Sequence, residues 1–222
     1  MELVKDSECL EDLQFNNLFI IQEREGYRFT SDAIALANFV DIKSGGTLVD
    51  LCSGSGVIGI LAHAKRNLSH TTLVEIQPTL ADMSRRSLQY NSIESIDVIN
   101  SPLQNVNKVI GVGKFDGVVC NPPYKKMGSA TKLSSIETIA IAKHEIKVTL
   151  EDVFCEGSKL LKFGGYFYIV NKEERLADMI VFGRKYNLEP KVIKILPSTK
   201  GASVVMIKYK KGGNSGLTIR YD

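Results

Sequence analysis

The chain has 222 residues and a mass of 24.5 kDa, with 44% hydrophobic and 24% charged residues. This is the composition of a globular domain with a sizeable core, and it excludes large-scale disorder. The net charge of +3 is too small to identify a nucleic-acid partner by itself.

Two further classes are excluded by the pattern of apolar residues and cysteines. No apolar run approaches the length of a bilayer span, and the charged first residues lack the apolar centre of a signal peptide. The four cysteines are far apart and show neither CxxC spacing nor nearby His pairs. We therefore expect a cytoplasmic protein with reduced thiols, without a metal site and without a membrane partner.

The first 45 residues are expected to form an N-terminal extension. Residues 1–12 are polar and are predicted to be loosely held. Residues 15–21 and 26–29 are predicted to pair as two short strands across a polar turn. Thr30-Ser31-Asp32 then has the composition of an N-cap, which predicts a helix of about ten residues ending before Gly45.

From residue 46 onward, strand-like and helix-like segments alternate, which predicts a parallel sheet covered by helices. The predicted parallel strands lie at 47–51, 71–75, 96–99, 115–120 and 166–170. The predicted helices lie near 57–66, 79–91, 150–162 and 173–186. Two more strands, 191–195 and 204–209, follow without an intervening helix and are expected to pair antiparallel. We assign residues 1–222 to one domain, with a catalytic core at 46–210 and a C-terminal tail at 211–222, and residues 210–216 read as a mobile loop.

Asn121-Pro122-Pro123-Tyr124 follows the fourth predicted strand. Two consecutive prolines continue neither a strand nor a helix interior, so the chain leaves the sheet at its carboxyl edge, where open α/β sheets bind ligands. The Asn121 amide and the Pro122 carbonyl can together accept two protons from an exocyclic amine, and Tyr124 can stack on a flat ring. A tight turn with a packed tyrosine is the alternative interpretation of this motif taken alone.

Between the first core strand and its helix, Gly54, Gly56 and Gly59 match the pattern G-x-G-x-x-G, and Glu75 ends the next strand. This arrangement is typical of a nucleotide that rests on a helix N-terminus while an acid holds its ribose. A turn that merely needs glycines is the alternative.

Asp50 favours one cofactor over another for this loop. A dinucleotide would place a pyrophosphate near this carboxylate, which is unfavourable where the local dielectric constant is low. S-adenosylmethionine carries a sulfonium and an ammonium that a carboxylate favours. The loop is therefore predicted to bind S-adenosylmethionine.

With Asp50, the glycine loop, Glu75 and Asn-Pro-Pro-Tyr in this order, the chain resembles class I methyltransferases that act on an amino group. It is most similar to the bacterial adenine-N6 methyltransferases that modify valine tRNA beside the anticodon. Residues 27–36, 142–150 and 210–216 resemble further segments of that family. The resemblance covers nearly the whole chain.

This resemblance implies a Rossmann-like α/β fold: a seven-stranded, mostly parallel sheet of order 3-2-1-4-5-7-6, only the last strand antiparallel, with helices on both faces. It implies these catalytic residues: Asn121, Pro122 and Tyr124. It implies these cofactor-binding residues: Asp50, Ser53, Gly54, Gly56, Glu75, Ile76, Ser101, Asn121 and Asp32. One departure is Pro102, which stands where relatives carry an Asp near the cofactor adenine, so that the Leu103 backbone, Ser101 or a neighbouring residue must serve instead. A valine at Gly56 is expected to enter the ligand's space without unfolding the sheet.

The expected partner is tRNA, bound by a monomer. The predicted substrate-binding residues are Lys125, Lys126, Lys143 and His144, with Lys132, Lys147, Lys210 and Lys211 as further candidates on the pocket rim. Clustered lysines suit phosphate contacts, although a solvated face is the alternative for any single one.

Three other functions fit parts of the sequence. Methyltransferases that modify a glutamine in release factors share Asn-Pro-Pro-Tyr, but they usually carry a longer N-terminal domain than the approximately 45 residues that precede the first core strand here. A DNA adenine methyltransferase would normally add a target-recognition domain. An inactive nucleotide-binding protein that interacts with RNA is the non-enzyme alternative, and the intact Asn121 argues against it.

Overall fold

A sheet of eight strands organises the computed structural model, which describes residues 3–25, 28–124, 148–196 and 203–221. A separate hairpin of β1 (Glu8–Asp12) and β2 (Phe19–Glu23) precedes it. The sheet contains β3 (Thr47–Leu51), β4 (His70–Glu75), β5 (Ile96–Asn100), β6 (Phe115–Cys120), β7 (Leu161–Lys172), β8 (Leu188–Leu196), β9 (Val204–Lys211) and β10 (Thr218–Tyr221). The helices are α1 (Ser31–Phe39), α2 (Val57–Arg66), α3 (Pro78–Tyr90), the short α4 (Asn107–Ile110), α5 (Leu150–Leu160) and α6 (Leu176–Lys185).

The strand order is β10-β8-β9-β7-β6-β3-β4-β5, and β9 runs antiparallel to both of its neighbours while the other pairs are parallel. The predicted antiparallel pairing of β8 and β9 is confirmed. The predicted count of seven strands is wrong, because part of the expected C-terminal tail forms β10 at one edge. Residues 218–221, Thr-Ile-Arg-Tyr, have the β-branched and aromatic content of a strand, but four residues give little signal.

Helices cover both faces of the sheet, as predicted. On one face α1, α2 and α3 contribute Leu36, Leu61 and Leu88 to a core that includes Met206 of β9. On the other face α5 and α6 bury residues such as Phe154 and Met179. Strands buried on both faces read as continuous apolar runs, which is why the core strands are readable from the sequence.

The N-terminal hairpin differs from the prediction. Its first strand is Glu8–Asp12, from the segment predicted to be loosely held, and residues 28–29 are not in a strand. The sequence Glu-Cys-Leu-Glu-Asp looks solvent-exposed, but Glu8 is buried because Arg86 of α3 binds its carboxylate at 2.6 and 2.7 Å. A long-range ion pair of this kind leaves no local pattern.

The predicted helix after Thr30 is confirmed as α1, with nine residues. Its first turn is ordered by Asp32, whose Oδ1 accepts hydrogen bonds from the Thr30 hydroxyl and, at 3.0 Å, from the Ala33 N–H. The helices that the structure describes are all too short or too polar to cross a membrane.

Candidate active site

The carboxyl ends of three neighbouring strands carry the predicted site. β3 ends at Leu51 before the glycine loop, β4 ends at Glu75, and β6 ends immediately before Asn121. Because β3 pairs in parallel with both β4 and β6, Asp50, Glu75 and Asn121 lie at the same edge of the sheet. The fold therefore brings together motifs that are far apart in the sequence.

The glycine loop turns the chain from β3 into α2 through residues with positive φ. Cys52, Gly54 and Gly56 have φ of 58°, 57° and 85°, a region that glycine occupies without steric cost. The Gly56 N–H donates a 2.8 Å hydrogen bond to the Ser53 carbonyl and closes the turn. Gly54 and Gly56 are therefore favoured here because the turn needs residues with positive φ.

A side chain at Gly56 would point into the protein. Its Cβ would lie 2.9 Å from Leu73 Cδ1 and 3.2 Å from Ser84 Oγ. At Gly59 the Cβ would lie 2.3 Å from Leu73 Cδ2 and 3.1 Å from Asp50 Oδ2. The expectation that a valine at Gly56 enters the ligand's space is therefore wrong, because its side chain would point at Leu73 of β4 and Ser84 of α3. That the sheet stays folded in this variant remains a prediction.

Asp50 is fully buried and has one hydrogen-bond partner among the described residues. Its Oδ2 accepts a 2.8 Å hydrogen bond from the Gly59 N–H, while its Oδ1 is buried with no such partner. Burial raises the pKa of Asp50 to about 8, opposed by the Gly59 N–H and reinforced by the negative charge of Glu75. A carboxyl in this setting is set up to receive a positively charged ligand.

Glu75 lies across the opening of the glycine loop. Its Oε2 accepts a 2.8 Å hydrogen bond from the Gly54 N–H, and its Oε1 accepts one of 2.8 Å from the Gln77 N–H. Burial raises the pKa of Glu75, although the N–H groups of Gln77, Gly54 and Ile76 oppose the shift. This carboxylate already contacts the loop at the place predicted for the ribose.

The predicted adenine side of the site is built from the ends of β4 and β5. The Ser101 N–H donates a 3.1 Å hydrogen bond to the Glu75 carbonyl, and the Ser101 hydroxyl donates to the Pro102 carbonyl at 3.1 Å. Asn100, which the sequence reasoning missed, donates from Nδ2 to the carbonyls of Glu75 and Ile76 at 2.8 and 3.1 Å. Its position at the carboxyl end of a predicted strand, beside the predicted site, is the sequence signal that could have identified Asn100.

Three buried oxygens around the glycine loop lack a hydrogen-bond partner among the described residues: Gln22 Oε1, Asp50 Oδ1 and Ser53 Oγ. Gln22 comes from the hairpin strand β2, is 1% exposed, and donates from Nε2 to the Ser55 hydroxyl at 3.2 Å. No local sequence pattern marks it. Unpartnered acceptors fit the ammonium and sulfonium of S-adenosylmethionine, whereas a pyrophosphate would need donors or cations.

The Asn-Pro-Pro-Tyr motif leaves the sheet beside this loop. The Asn121 amide has no hydrogen-bond partner among the described residues, and Pro122 is buried. The Tyr124 hydroxyl donates a short hydrogen bond to Asp32 Oδ2 at the start of α1. The Lys172 ammonium, at the end of β7, lies 5.5 Å from the Tyr124 ring centroid. The tyrosine is thus held between α1 and β7, and the cofactor-binding role expected for Asp32 stays a prediction.

Most of the predicted substrate contacts, Lys125, Lys126, Lys132, Lys143, His144 and Lys147, lie outside the described residues. Lys210 and Lys211 lie within them, and their expected place on the pocket rim is wrong. They pair with Glu189 and Leu188 at the start of β8, because β9 runs antiparallel and ends at the opposite edge of the sheet. The Lys211 ammonium is bound by the Ser158 and Leu161 carbonyls at 2.6 and 2.9 Å.

Known proteins resemble this chain in sequence and in fold. A Porphyromonas gingivalis protein named tRNA1(Val) (adenine(37)-N6)-methyltransferase is 24% identical over 184 residues, which cover 78% of this chain and 70% of that protein. A Shewanella frigidimarina protein of the same name is 22% identical over 216 residues, covering 94% and 80%. The structure of M. capricolum TrmK in complex with S-adenosyl-homocysteine superposes with a TM-score of 0.60 at 11% identity, covering 86% of this chain and 72% of that one.

The family model described as the methyltransferase small domain matches residues 30–183. These residues run from the N-cap of α1 to the last helix and include the glycine loop, Glu75 and the Asn-Pro-Pro-Tyr motif. The chain therefore belongs to the methyltransferase small domain family.

Proposed function

We propose that this S-adenosylmethionine-dependent methyltransferase modifies the exocyclic N6 amine of an adenine in tRNA, beside the anticodon. The observation that carries the proposal is the Asn121 amide, which has no partner among the described residues and lies at the same edge of the sheet as the cofactor loop. A planar amine needs acceptors for its two protons, and Asn121 with the Pro122 carbonyl supplies two.

When bound, S-adenosylmethionine supplies an electrophilic methyl group. Asp50, Ser53 and Gln22 would hold the ammonium group of its methionine part, and Glu75 its ribose. The Asn121 and Pro122 carbonyls would accept hydrogen bonds from the two N–H groups of the adenine amine, which favours a pyramidal nitrogen and directs its lone pair out of the ring plane; the methylated nitrogen then loses one proton to solvent. Because positive charge grows on this nitrogen, acceptors fixed in place stabilise the transition state and need no reorganisation.

Tyr124 is suited to hold the flat base. Its ring is fixed by the Asp32 carboxylate at the hydroxyl and by Lys172 near the ring. A base that leaves its stack costs a few kcal/mol, least in a single-stranded loop, and stacking on an aromatic ring returns about 1–3 kcal/mol. An anticodon loop therefore suits this site better than a duplex.

The tRNA part of the proposal is supported by the names of the relatives in Porphyromonas and Shewanella. Lys125, Lys126, Lys143 and His144 remain the predicted phosphate contacts on the rim. A protein glutamine amide presents the same planar NH2 group to Asn121. Methylation of a protein glutamine would therefore use the same residues, and only an assay with each substrate distinguishes the two functions. A tRNA substrate would place the enzyme in the cytoplasm, where we expect it to act as a monomer.

The test is transfer of a labelled methyl group from S-adenosylmethionine to unmodified valine tRNA, followed by nucleoside analysis. We expect N6-methyladenosine with the wild-type protein and almost none with Asn121→Ala. Methylation of a glutamine peptide with none of tRNA would overturn the proposed substrate and leave the role of Asn121 intact. Methylation of neither would overturn both.

A further inference from the structure

Two adjoining cavities lie on the α1 side of the sheet and share Asp41 and Lys208. One, of about 690 Å³, lies at the amino edge between the segment before β3 and the start of β7. The other, of about 440 Å³, lies between α1 and the strands β8, β9 and β10. We call the two together the basic groove, because its lining includes Lys43, Arg66, Lys194, Lys208, Lys210 and Arg220.

The sheet register explains why these cations converge. Successive residues of β9 point to opposite faces of the sheet, so residues 206, 208 and 210 share one face. Lys208 and Lys210 therefore lie on the face of Met206, which belongs to the α1-side core. Across the sheet, Lys194 is opposite Met206, and Arg220 is opposite Lys194. The three neighbouring strands β8, β9 and β10 therefore present their cations on the one face, beside α1.

The acidic groups of the groove balance only part of this charge. Asp41 forms an ion pair with Lys208 at 3.0 Å, and Asp116 forms one with Lys162 at 2.7 Å. The hydrogen bond and the charge of Lys208 lower the pKa of Asp41, with smaller contributions from Arg66 and Arg220. The Lys208, Arg66 and Arg220 side chains, from β9, α2 and β10, all line the cavity that contains Asp41.

Within the described part of the chain, several of the cations have no carboxylate counterion. Among the described residues, no carboxylate lies within ion-pair distance of Lys43, Lys210 or Arg220. Arg66 donates from Nη2 to the Asn38 carbonyl at 3.2 Å, while its Nε is buried with no partner in the same part of the chain. Such a concentration of positive charge suits a ligand with repeated negative charges.

Aromatic rings accompany the cations. The Tyr166 ring centroid lies 4.3 Å from the Lys208 ammonium and 6.0 Å from that of Lys210. Phe163, at the amino-edge end of the groove, is 79% exposed. Basic side chains interleaved with exposed rings are typical of surfaces that bind nucleic-acid strands, and acidic proteins do not require the rings.

The groove is connected to the active site by α1. Asp32 in its first turn contacts Tyr124, and Asn38 and Phe39 in its last turn line the groove. Six residues of helix separate Asp32 from Asn38, a distance of about 9 Å along the axis. One RNA molecule can therefore reach both places.

We infer that the basic groove binds the sugar–phosphate backbone of the RNA substrate, away from the base that is methylated. This inference rests on the proposed tRNA substrate. The groove holds the body of the folded RNA and adds affinity without contact to the reacting atoms. It is a second contact region, separate from the glycine loop and Asn121 at the carboxyl edge of the sheet.

The test compares two double variants with the same change in charge. Lys210→Ala with Arg220→Ala removes one cation from each cavity, and neither residue belongs to the active site. Arg184→Ala with Lys185→Ala removes two exposed cations from α6 on the opposite face of the sheet and serves as the control. Binding of valine tRNA is measured by fluorescence anisotropy between 0.05 and 0.3 M salt, and S-adenosylmethionine binding by calorimetry.

For the groove variant we expect the Kd for tRNA to rise about 10- to 30-fold at about 0.15 M salt, with a log–log salt slope shallower by about 1.4–1.8. The KM for tRNA should rise while kcat and the cofactor Kd stay near wild type. The control should stay within about twofold of wild type. If the double variant fails to fold, Arg220→Gln alone should show about half of the change in slope.

Equal tRNA affinity and equal slope in the groove variant and wild type would overturn the inference and leave the proposed function standing. If the wild-type protein neither binds nor methylates tRNA, the proposed function fails first. Matched titrations with polyglutamate address the other class of partner. A loss of polyglutamate binding without a loss of tRNA binding would assign the groove to an acidic protein and overturn the inference.

Discussion

Glu8 and Asp50 are both buried carboxyl groups, 2% and 0% exposed, but among the described residues a cationic side chain binds only Glu8. Glu8 accepts hydrogen bonds from the Arg86 guanidinium and from the Lys5 N–H at 2.9 Å. Burial raises the pKa of Glu8, but the Arg86 hydrogen bond and charge outweigh it, so that the pKa is lowered overall. Asp50 has no such cation among the described residues, and its pKa is raised to about 8.

We propose that this difference separates a group that holds the fold together from a group that binds a ligand. The Glu8–Arg86 pair attaches the hairpin to α3 and is complete within the protein. Asp50 has an Oδ1 with no hydrogen-bond partner among the described residues, and we expect a cationic ligand to bind there. A buried polar group that the protein leaves unsatisfied is a better indicator of function than one that is merely buried.

The asparagines allow the strongest test of this distinction. Asn91 uses its whole amide within the fold: Nδ2 donates to the Phe19 and Ser87 carbonyls, both at 2.6 Å, and Oδ1 accepts from the Phe19 N–H at 3.0 Å. Asn121 has no such partner among the described residues. Asn121→Ala should lower kcat about 100- to 1,000-fold, the range for loss of one transition-state hydrogen bond, and leave the cofactor Kd unchanged. Kinetics and calorimetry measure the two effects.

Asn91→Ala is the matched control for that experiment. It should lower the free energy of unfolding by about 1–3 kcal/mol, because it leaves backbone groups of the hairpin unpaired, with kcat near wild type. Similar activity in Asn121→Ala and wild type would reduce Asn121 to a turn former.

The next largest effect should come from neutralising each of the two acids. Asp50→Asn should weaken S-adenosylmethionine binding about 10- to 100-fold, the equivalent of a charged hydrogen bond of about 1.5–3 kcal/mol, without lowering the free energy of unfolding. Glu8→Gln should do the reverse and lower the free energy of unfolding while cofactor binding is kept. Calorimetric titration and urea unfolding of both variants give the four values. If both substitutions changed mainly cofactor affinity, or both changed mainly the free energy of unfolding, the distinction between the two acids would be wrong.

A pH series sharpens the same contrast. The free protein keeps Asp50 protonated at pH 7 because its pKa is about 8, and a cationic ligand favours the carboxylate. Cofactor binding should therefore release a proton, and affinity should rise by up to tenfold per pH unit up to about pH 8. Calorimetry in two buffers with different ionisation enthalpies measures the release. Asp50→Asn should abolish it, and no proton release by the wild-type protein at pH 7 would contradict the role of Asp50.

The stability of the free protein should show opposite contributions from the two acids. The pKa of Asp50 is raised from 3.8, so its contribution is present in acid and is lost as the pH rises through about 8. The pKa of Glu8 is lowered from 4.5, so its contribution is present above that value and is lost as the pH falls. Urea unfolding from pH 4 to pH 9 with the variants Asp50→Asn and Glu8→Gln separates them.

The sequence predicts the parts of this molecule that repeat a local pattern. The strands β3 to β9 and the helix α1 are marked by apolar runs and by the Thr-Ser-Asp cap, and the motifs at their carboxyl ends locate Asp50, Glu75 and Asn121. The residues that complete the site from a distance were missed. Gln22 and Lys172 reach it through the hairpin and through β7, and neither has a local signature.

The error over Lys210 and Lys211 has a different cause. Because β9 is predicted to run antiparallel to the core strands, its carboxyl end must lie at the edge opposite the active site. The position of these two lysines therefore follows from the predicted topology and not from the residue types. Resemblance of a segment to a family motif does not fix the edge of the sheet on which it lies. The basic groove, which includes Lys210, is assembled from α1, α2 and five strands, and no linear segment shows it.

The smallest expected effect concerns the Tyr124 hydroxyl, which belongs to the satisfied class of polar groups because it donates to Asp32. Tyr124→Phe should lower kcat/KM only about 3- to 10-fold, because a hydrogen bond to a partly exposed carboxylate contributes less than a buried one. Tyr124→Ala should cost at least tenfold more, since about 1–3 kcal/mol of stacking is also lost.

A double-mutant cycle with Asp32→Asn decides how the hydroxyl acts. If it works only by anchoring the ring to α1, then Tyr124→Phe and the double variant should have the same kcat/KM as Asp32→Asn, and the coupling free energy should equal the effect of either single change. Additive losses would mean that the hydroxyl and the carboxylate act separately. A decrease in kcat/KM of about 100-fold or more in Tyr124→Phe alone would mean that this hydroxyl takes part in the reaction at the amine and does not only hold the ring.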